Sequence, residues 1–368
     1  MCLCDMIFWR IYIMKDYKAK CLPIIDNFCI EGNVVSVERF GNGHINRTYL
    51  VTTDVRRYVL QRMNNFVFKD IKALMNNISC VTEYLYSIGV ETQRVMKTKS
   101  GENFLKKDGY YRMYDFLDDT VAYQTVTDAE LFKRCGAAFG AFQNHLAHFD
   151  ASVLVETIPN FHNTPKRYQD FIDALDADTQ SRADNAASEI EFFLSHKDTF
   201  SKVVDGLADG SIPLRVTHND TKLNNILMDT RTNEARAIID LDTVMPGSLL
   251  YDFGDSIRFG ASTAAEDEQD VDKVHFDMDL YEAYVSGFCP EVKESMTERE
   301  IELIPYSAYL ITAECGMRFL TDYLMGDTYF PTEYPEHNLI RARTQIKLAS
   351  EMEANFNKML EISNKYCR

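Results

Sequence analysis

Three early segments carry short apolar, β-branched and aromatic runs between polar residues, the pattern of strands: "NVVSVERF" (33–40), "RTYLVTT" (47–53) and "RRYVLQRM" (56–63). "GNGHIN" separates the first two, and a polar break at Asp54 precedes the third. The period then becomes helical. Ile71, Leu74, Met75, Ile78, Val81 and Leu85 share one face, which predicts a helix over 68–88 stopped by Gly89. "YYRMYDFLDD" (110–119) reads as a strand running into a connector. Beyond it, Thr127 and Glu130 have capping-box spacing ahead of Leu131, Cys135, Phe139, Phe142 and Leu146. Further helices fit 165–177, 183–196, 277–287, 298–325 and 338–365. Two short apolar strands, "NNILMD" and "ARAIIDLD", flank the polar turn "TRTNE". These elements predict an α+β chain divided near residue 118. Residues 14–118 form a small antiparallel-sheet lobe with one main helix, and residues 119–368 a larger, mostly helical lobe.

Composition narrows the partners. With 368 residues, 46% of them hydrophobic, the chain can build substantial cores. A net charge of −17 and an isoelectric point of about 4.9 argue against nucleic acid or an anionic membrane. A phosphate ligand is still compatible, because a bound cation and a few local positive groups can outweigh the global field. Nine scattered cysteines without a Cys-x-x-Cys read as reduced thiols in a cytoplasmic protein. The opening "MCLCDMIFWRIYIMKDYK" has an apolar part far short of the ~20 residues a membrane span needs, and Asp5 and Arg10 interrupt it. Translation is expected to start at Met14, leaving residues 1–13 as a poorly ordered extension.

The chemistry concentrates between 218 and 240. "THNDTKLNNILMD" places His218, Asp220, Lys222 and Asn225 in the pattern His-x-Asp-x-x-x-x-Asn, that of a phosphotransfer loop. An Asp near an acceptor hydroxyl orients it and takes its proton, so Asp220 is the candidate base. Lys222 is placed to offset charge on a transferred phosphoryl group. An Asn carbonyl is a hard ligand suited to Mg²⁺, which makes Asn225 a metal candidate. His218 reads as a structural support of the loop. "AIIDLD" then offers Asp240, twenty residues beyond Asp220, a span one hairpin can close. A literal Asp-Phe-Gly, the magnesium triplet of protein kinases, follows at "YDFGD", but thirty-two residues past Asp220 and at a helix start. Asp240 is therefore assigned to the metal and Asp252 to structure, the latter as a helix N-cap. Asp242 faces the opposite side if the strand continues, and would be placed to help with a second Mg²⁺ if the chain turns.

Together "HNDTKLNN", "IIDLDTVMPG" and "YDFGD" resemble the aminoglycoside phosphotransferase and choline kinase-like family. "GNGHINRTY", "YVLQRMN", "RMYDFLDDT", "FHNTPKRY" and "ECGMRFLTDYLMGDTYF" extend the likeness over residues 37–330. Within that family they are most similar to bacterial kinases that phosphorylate the anomeric hydroxyl of N-acetylglucosamine or N-acetylgalactosamine. The resemblance implies a bilobal, protein-kinase-like fold, with ATP between the lobes and Mg²⁺ as cofactors. It implies Asp220 as base, Asn225 and Asp240 as metal ligands, and Gly41, Asn42 and Gly43 as the phosphate turn. Residues 112–117, with Arg112, Tyr114 and Asp115, would supply backbone to adenine, and Asn46, Arg318 and Tyr329 would approach the sugar. The expected partner is a small-molecule sugar, on a monomer or weak oligomer.

One position departs from the superfamily. Where most of these kinases carry a Lys for the ATP phosphates, "YVLQRM" has Gln61, with Arg62 on the other strand face, so Glu83 has no lysine there to pair with. Two rival readings stay open: a kinase of another acceptor (another sugar, an aminoglycoside, choline or homoserine), and a non-catalytic nucleotide-binding protein. Bland alternatives stand beside the site residues. Arg318 is spaced for an i,i+4 pair with Glu314, Thr164 ahead of Pro165 reads as a helix start, and the acidic run 264–272 as a solvated loop.

Overall fold

The early segments become strands because each carries apolar side chains to bury, in "YVL" of the third on both faces. A computed structural model describes residues 17–41 and 45–368. The expected extension 1–13 and the start at Met14 lie outside the described residues, as do Asn42, Gly43 and His44. The chain divides into two compact units, one running to Ser87 and again from Thr92 to Asp118, the other comprising Ile88–Glu91 and Asp119–Arg368.

The first unit holds α1 (Tyr17–Ile25), β1 (Val34–Arg39), β2 (Arg47–Thr53), β3 (Arg57–Met63), α2 (Ile71–Ser87), β4 (Leu105–Lys106) and β5 (Tyr110–Asp115). The strands form one antiparallel sheet in the order β1-β2-β3-β5-β4. Tyr58 and Leu60 of β3 and Val51 of β2 point to the same side and pack with Ile24 and Ile25 of α1. Asp70 caps α2 by accepting the Ala73 N–H, and Gly89, at φ 82°, ends it.

The second unit contains β6 (Thr120–Val121), α3 (Ala129–His145), α4 (Thr164–Ala177), α5 (Ala187–Ser195), α6 (Lys202–Asp209) and β7 (Arg215–Thr217). It continues with β8 (Ile226–Asp229), β9 (Ala235–Ile238), β10 (Met245–Gly247), α7 (Leu249–Gly260), α8 (Met278–Val292), α9 (Glu298–Leu324), α10 (His337–Ala354) and α11 (Phe356–Cys367). Small sheets β6-β8-β9 and β10-β7 sit among the helices. Glycines set the closest helix approach: a Cβ at Gly287 of α8 would overlap the Lys133 carbonyl of α3, and one at Gly136 of α3 the Tyr284 carbonyl. Among the described residues no helix is long and apolar enough to cross a membrane.

Several local expectations are corrected. Asp128, not a Thr127/Glu130 box, caps α3, because its carboxylate accepts the Leu131 N–H while Thr127 donates to it. Asn163 rather than Thr164 caps α4. The segment 338–365 is two helices broken at Asn355. "ARAIIDLD" leaves the sheet after Ile238, since Asp240 turns left-handed at φ 61°. The acidic run is not merely solvated: Glu266 pairs with buried Arg258, and Asp267 with His337. Nor are all thiols reduced, for packing of α8 against α11 joins Cys289 to Cys367 across 78 residues of sequence.

Candidate functional site

β7 and β10 are clamped by their ladder and by Thr217 Oγ1, which donates to the Met245 carbonyl at 2.9 Å. The chain then bends sharply at Asn219, φ 64°, a left-handed turn that Asn tolerates better than most residues. The bend is held by Asp252. Its carboxylate, fully buried in the first turn of α7, accepts the N–H groups of His218 (2.9 Å) and Asn219 (2.7 Å) and the Gln143 amide (2.6 Å). Burial pushes the Asp252 carboxyl up from the ordinary aspartate range, against the pull of His218 and these donors. Asp252 thus sits in a structural position, though not as the N-cap: Ser248 caps α7. Asp255, one turn on, accepts the Thr221 N–H at 2.8 Å and pairs with Arg258 at 3.0 Å.

His218 is fully buried, edge-on to Phe139 and Phe142. Its Nε2 donates to the Ile239 carbonyl at 2.9 Å, and its Nδ1 accepts the Asp220 N–H at 3.3 Å. One imidazole therefore ties the loop to the strand end that precedes Asp240. Ile239 is pinned from the other side too, its N–H donating to the Asn225 carbonyl at 2.9 Å. Asn225 and Asp240 are consequently brought together, one residue offset across the β8–β9 edge.

The Asp220 carboxylate is about one-third exposed and has two fixed neighbours. Lys222 Nζ lies 2.9 Å from Oδ1, and Asn225 Nδ2 donates to Oδ2 at 3.1 Å and to the Asp220 carbonyl at 2.7 Å. Burial lowers the affinity of Lys222 for its proton, but Asp220 and Asp255 outweigh it and hold the ammonium above its usual range. Because the Asn225 amide nitrogen is turned to Asp220, its carbonyl oxygen is the atom left to meet a cation. Among the described residues no three His, Cys, Asp or Glu side chains form a preformed cage. The donors are instead one amide oxygen, the exposed Asp240 carboxylate and Asp220. Sparse hard oxygens of this kind suit an ion that keeps waters and takes its other ligands from a phosphate, as Mg²⁺ does, so the residues fit that ion.

In the first unit, Gln61 of β3 lies opposite Arg112 of β5, and its Oε1 accepts the Arg112 Nε–H at 2.8 Å, while its amide donates to Thr48. The register thus puts the buried Arg112 guanidinium beside Gln61. Glu83 pairs with Lys97 instead. Arg112, Tyr114 and Asp115 of the expected adenine hinge lie inside β5, where the Met113 carbonyl accepts the Met96 N–H and the Asp115 N–H donates to the Arg94 carbonyl. β5 ends at Asp115, and the Phe116 N–H still donates to the Arg57 carbonyl of β3. Asn46 accepts the Asn64 N–H at 3.0 Å through its side chain. Gly41 is left-handed at φ 71°.

Arg318 does not pair with Glu314. Its guanidinium lies over the rings of Phe161 (5.4 Å) and Phe330 (5.5 Å), and the neighbouring Tyr329 ring is edge-on to Phe330 and exposed. Arg167 joins this group, donating to the Phe161 carbonyl. Burial first, and then the Arg318 charge, holds Arg167 below its usual range. Glu314 is taken by His162 Nδ1 at 2.7 Å and Thr164 Oγ1 at 2.5 Å. Phe161, His162 and Tyr251 line a cavity of about 170 Å³ that reaches Asn219, the neighbour of Asp220. Sequence reasoning missed this pocket, along with Gln143 and Asp255. "FHNTPKRY" was its only signal, and no spacing rule links residues 162 and 314.

The fold resembles several solved kinases. A microcompartment-associated aminopropanol kinase is 15% identical, covers 93% of this chain and 98% of its own, and has a TM-score of 0.62. A choline kinase from Cryptosporidium parvum Iowa II is 13% identical, with coverages of 95% and 99% and a TM-score of 0.60. An amicoumacin kinase solved with AMP-PNP, Ca²⁺ and Ami is 13% identical, with coverages of 93% and 96% and a TM-score of 0.59. At these identities the likeness speaks to the kinase-like fold alone. Residues 36–284, well over half of the chain and inclusive of the whole 218–240 loop system, match the model of the phosphotransferase enzyme family, and the protein belongs to that family of small-molecule phosphotransferases acting on hydroxyl acceptors.

Proposed function

We propose that the protein transfers the γ-phosphoryl group of ATP, with Mg²⁺, to the anomeric hydroxyl of an N-acetylhexosamine, giving the sugar 1-phosphate. One observation carries the kinase part of this reading: His218, Ile239 and Asn225 are hydrogen-bonded in series, so that Asp220, Asn225 and Asp240 are held by one network. Asp220 accepts the proton of the attacking hydroxyl, and an anomeric hydroxyl is more acidic than an ordinary alcohol, so a single carboxylate suffices. Lys222, fixed at 2.9 Å from Asp220, offsets charge on the transferred group. Asn225 and Asp240 would hold the metal, which when bound neutralises phosphate charge and orients the leaving oxygen. Arg112, braced by Gln61, supplies the cation that lysine gives elsewhere. Asn46, Gly41, Asn42 and Gly43 remain assigned to the phosphates and sugar by the family resemblance.

The acceptor assignment is supported by charge. Arg167 and Arg318 both sit on Phe161, a wall of the cavity beside Asn219, and their guanidinium pair repels a cationic acceptor such as choline or an amino alcohol while accommodating a neutral sugar. A screen of sugars, aminoglycosides and amino alcohols for ADP release, followed by phosphorus NMR of the product, tests this. The expected product carries phosphate on the anomeric oxygen. Preferential turnover of an amine, or phosphate on another oxygen, rejects the assignment.

A further inference from the structure

Buried polar atoms in folded proteins are almost always hydrogen-bonded, so an exception calls for an explanation. His162 provides one. Its side chain is 8% exposed, its Nδ1 lies 2.7 Å from a Glu314 oxygen, and its Nε2 is buried with no hydrogen-bond partner among the described residues. The ring is held on both sides, tilted against Tyr251 at 4.9 Å and edge-on to Phe161 at 4.6 Å, so it cannot swing away to find a partner. All three rings line the cavity that reaches Asn219.

Glu314 decides which nitrogen carries the proton. Burial would push its carboxyl up, but His162 and Thr164 outweigh burial and hold it below the usual glutamate range, so it is a carboxylate that can only accept. His162 must therefore donate from Nδ1, which leaves Nε2 as the ring nitrogen with no partner among the described residues. The cavity, at about 170 Å³, is below the ~300 Å³ at which drug-sized sites begin, and matches one ring or one ring substituent rather than a nucleotide. Its walls are mixed: Phe161, Tyr251 and Leu214 are apolar, whereas Glu156 and Asn219 are polar.

We infer that His162 is a specificity-determining residue whose Nε2 makes a hydrogen bond with one hydroxyl or amide group of the acceptor, with Glu314 as the positioning residue that holds the ring through Nδ1. The inference rests on the acceptor reading above and adds the group that reads the sugar. A site built to hydrogen-bond one substrate group penalises an analogue lacking that group, because its own buried atom is then left unpaired.

Calorimetric binding without ATP tests it, using N-acetylglucosamine, glucose and the 3-, 4- and 6-deoxy forms of N-acetylglucosamine with wild type, His162→Phe and His162→Gln. In wild type, one analogue is expected to bind roughly ten- to a hundred-fold more weakly than the parent. In His162→Phe the parent falls to that level and the analogue falls no further, whereas His162→Gln, which keeps an acceptor near Nε2, recovers part of the loss. Equal weakening of every ligand by His162→Phe overturns the inference. Should that variant not fold, histidine-nitrogen NMR of wild type decides: addition of N-acetylglucosamine shifts the Nε2 signal of one Nδ1–H imidazole, and no such shift overturns it. If N-acetylhexosamines do not bind wild type at all, the acceptor assignment has failed instead, and the same comparison is made with the acceptor that the ADP screen returns.

Discussion

Asp252 and Asp240 show how two carboxylates twelve positions apart come to sit in opposite surroundings. Asp252 is surrounded by three N–H donors and no solvent, so its negative charge is spent on shaping the backbone at His218 and Asn219. Asp240 is exposed at a left-handed turn whose neighbour Ile239 is bonded on both sides. Asp240→Asn is therefore expected to weaken Mg²⁺-ATP binding by at least roughly ten-fold with little change in melting temperature. Asp252→Asn should do the reverse, because an amide turns an N–H toward donors in a dry site and costs roughly 1–3 kcal/mol. Metal titration and thermal denaturation of both variants check this, and equal losses of metal affinity would reverse the assignment. Asp220→Asn is expected to remove turnover, by on the order of 10²–10⁴-fold, while nucleotide still binds. Near-normal turnover would reject Asp220 as the base. The loop motif was legible because its chemistry is local in sequence. The bonds that make it rigid were not, since Gln143, Asp252 and Asp255 reach it from other elements.

The elements follow the hydrophobic period closely, and where they depart a local competitor wins. Asp128 outcompetes Thr127 as a cap because a carboxylate accepts a backbone N–H more strongly than a hydroxyl does. The strand at 235–242 stops early because two hydrogen bonds on Ile239 and the turn at Asp240 take its backbone out of the ladder. The helix pair α3–α8 depends on what is missing from its seam. Gly287→Ala places a methyl group on the Lys133 carbonyl, backbone that cannot yield like a flexible side chain. The expected cost is about 1–3 kcal/mol by overpacking, against the gain in helix propensity that Ala brings at an uncrowded site. Urea denaturation of Gly287→Ala measures it, and an unchanged or raised midpoint would show that the seam opens freely.

For the molecule as a whole, carboxylates held below their ordinary range set the acid limit. The Leu131 N–H lowers Asp128, the Thr232 and Arg231 N–H groups lower Asp229, and His162 lowers Glu314 against the opposing effect of burial. Each is deprotonated more readily folded than unfolded, so its stabilisation is complete above about pH 4–5 and is lost as pH falls through the native values. Asp252 and Asp115, raised by burial, oppose the trend. The urea midpoint is expected to be flat from pH 7 to about 5 and to fall below that; a midpoint unchanged at pH 3.5 would contradict it. The Cys289–Cys367 bond closes a loop of 78 residues, and reduction should lower stability by roughly 4 kcal/mol through the freed chain entropy, read as a fall in melting temperature with reductant. The sequence by itself determined the two-part α+β plan, the principal strands and helices, and the motif spacing of the 218–225 loop, because periodicity and motif spacing are properties of neighbours along the chain. Only the tertiary structure decided that Arg112 stands beside Gln61, that Glu314 turns from Arg318 to His162, and that a cysteine pair closes on itself. Those choices join residues tens to more than a hundred positions apart, and burial, register and competition for hydrogen-bond partners make them after the chain has folded.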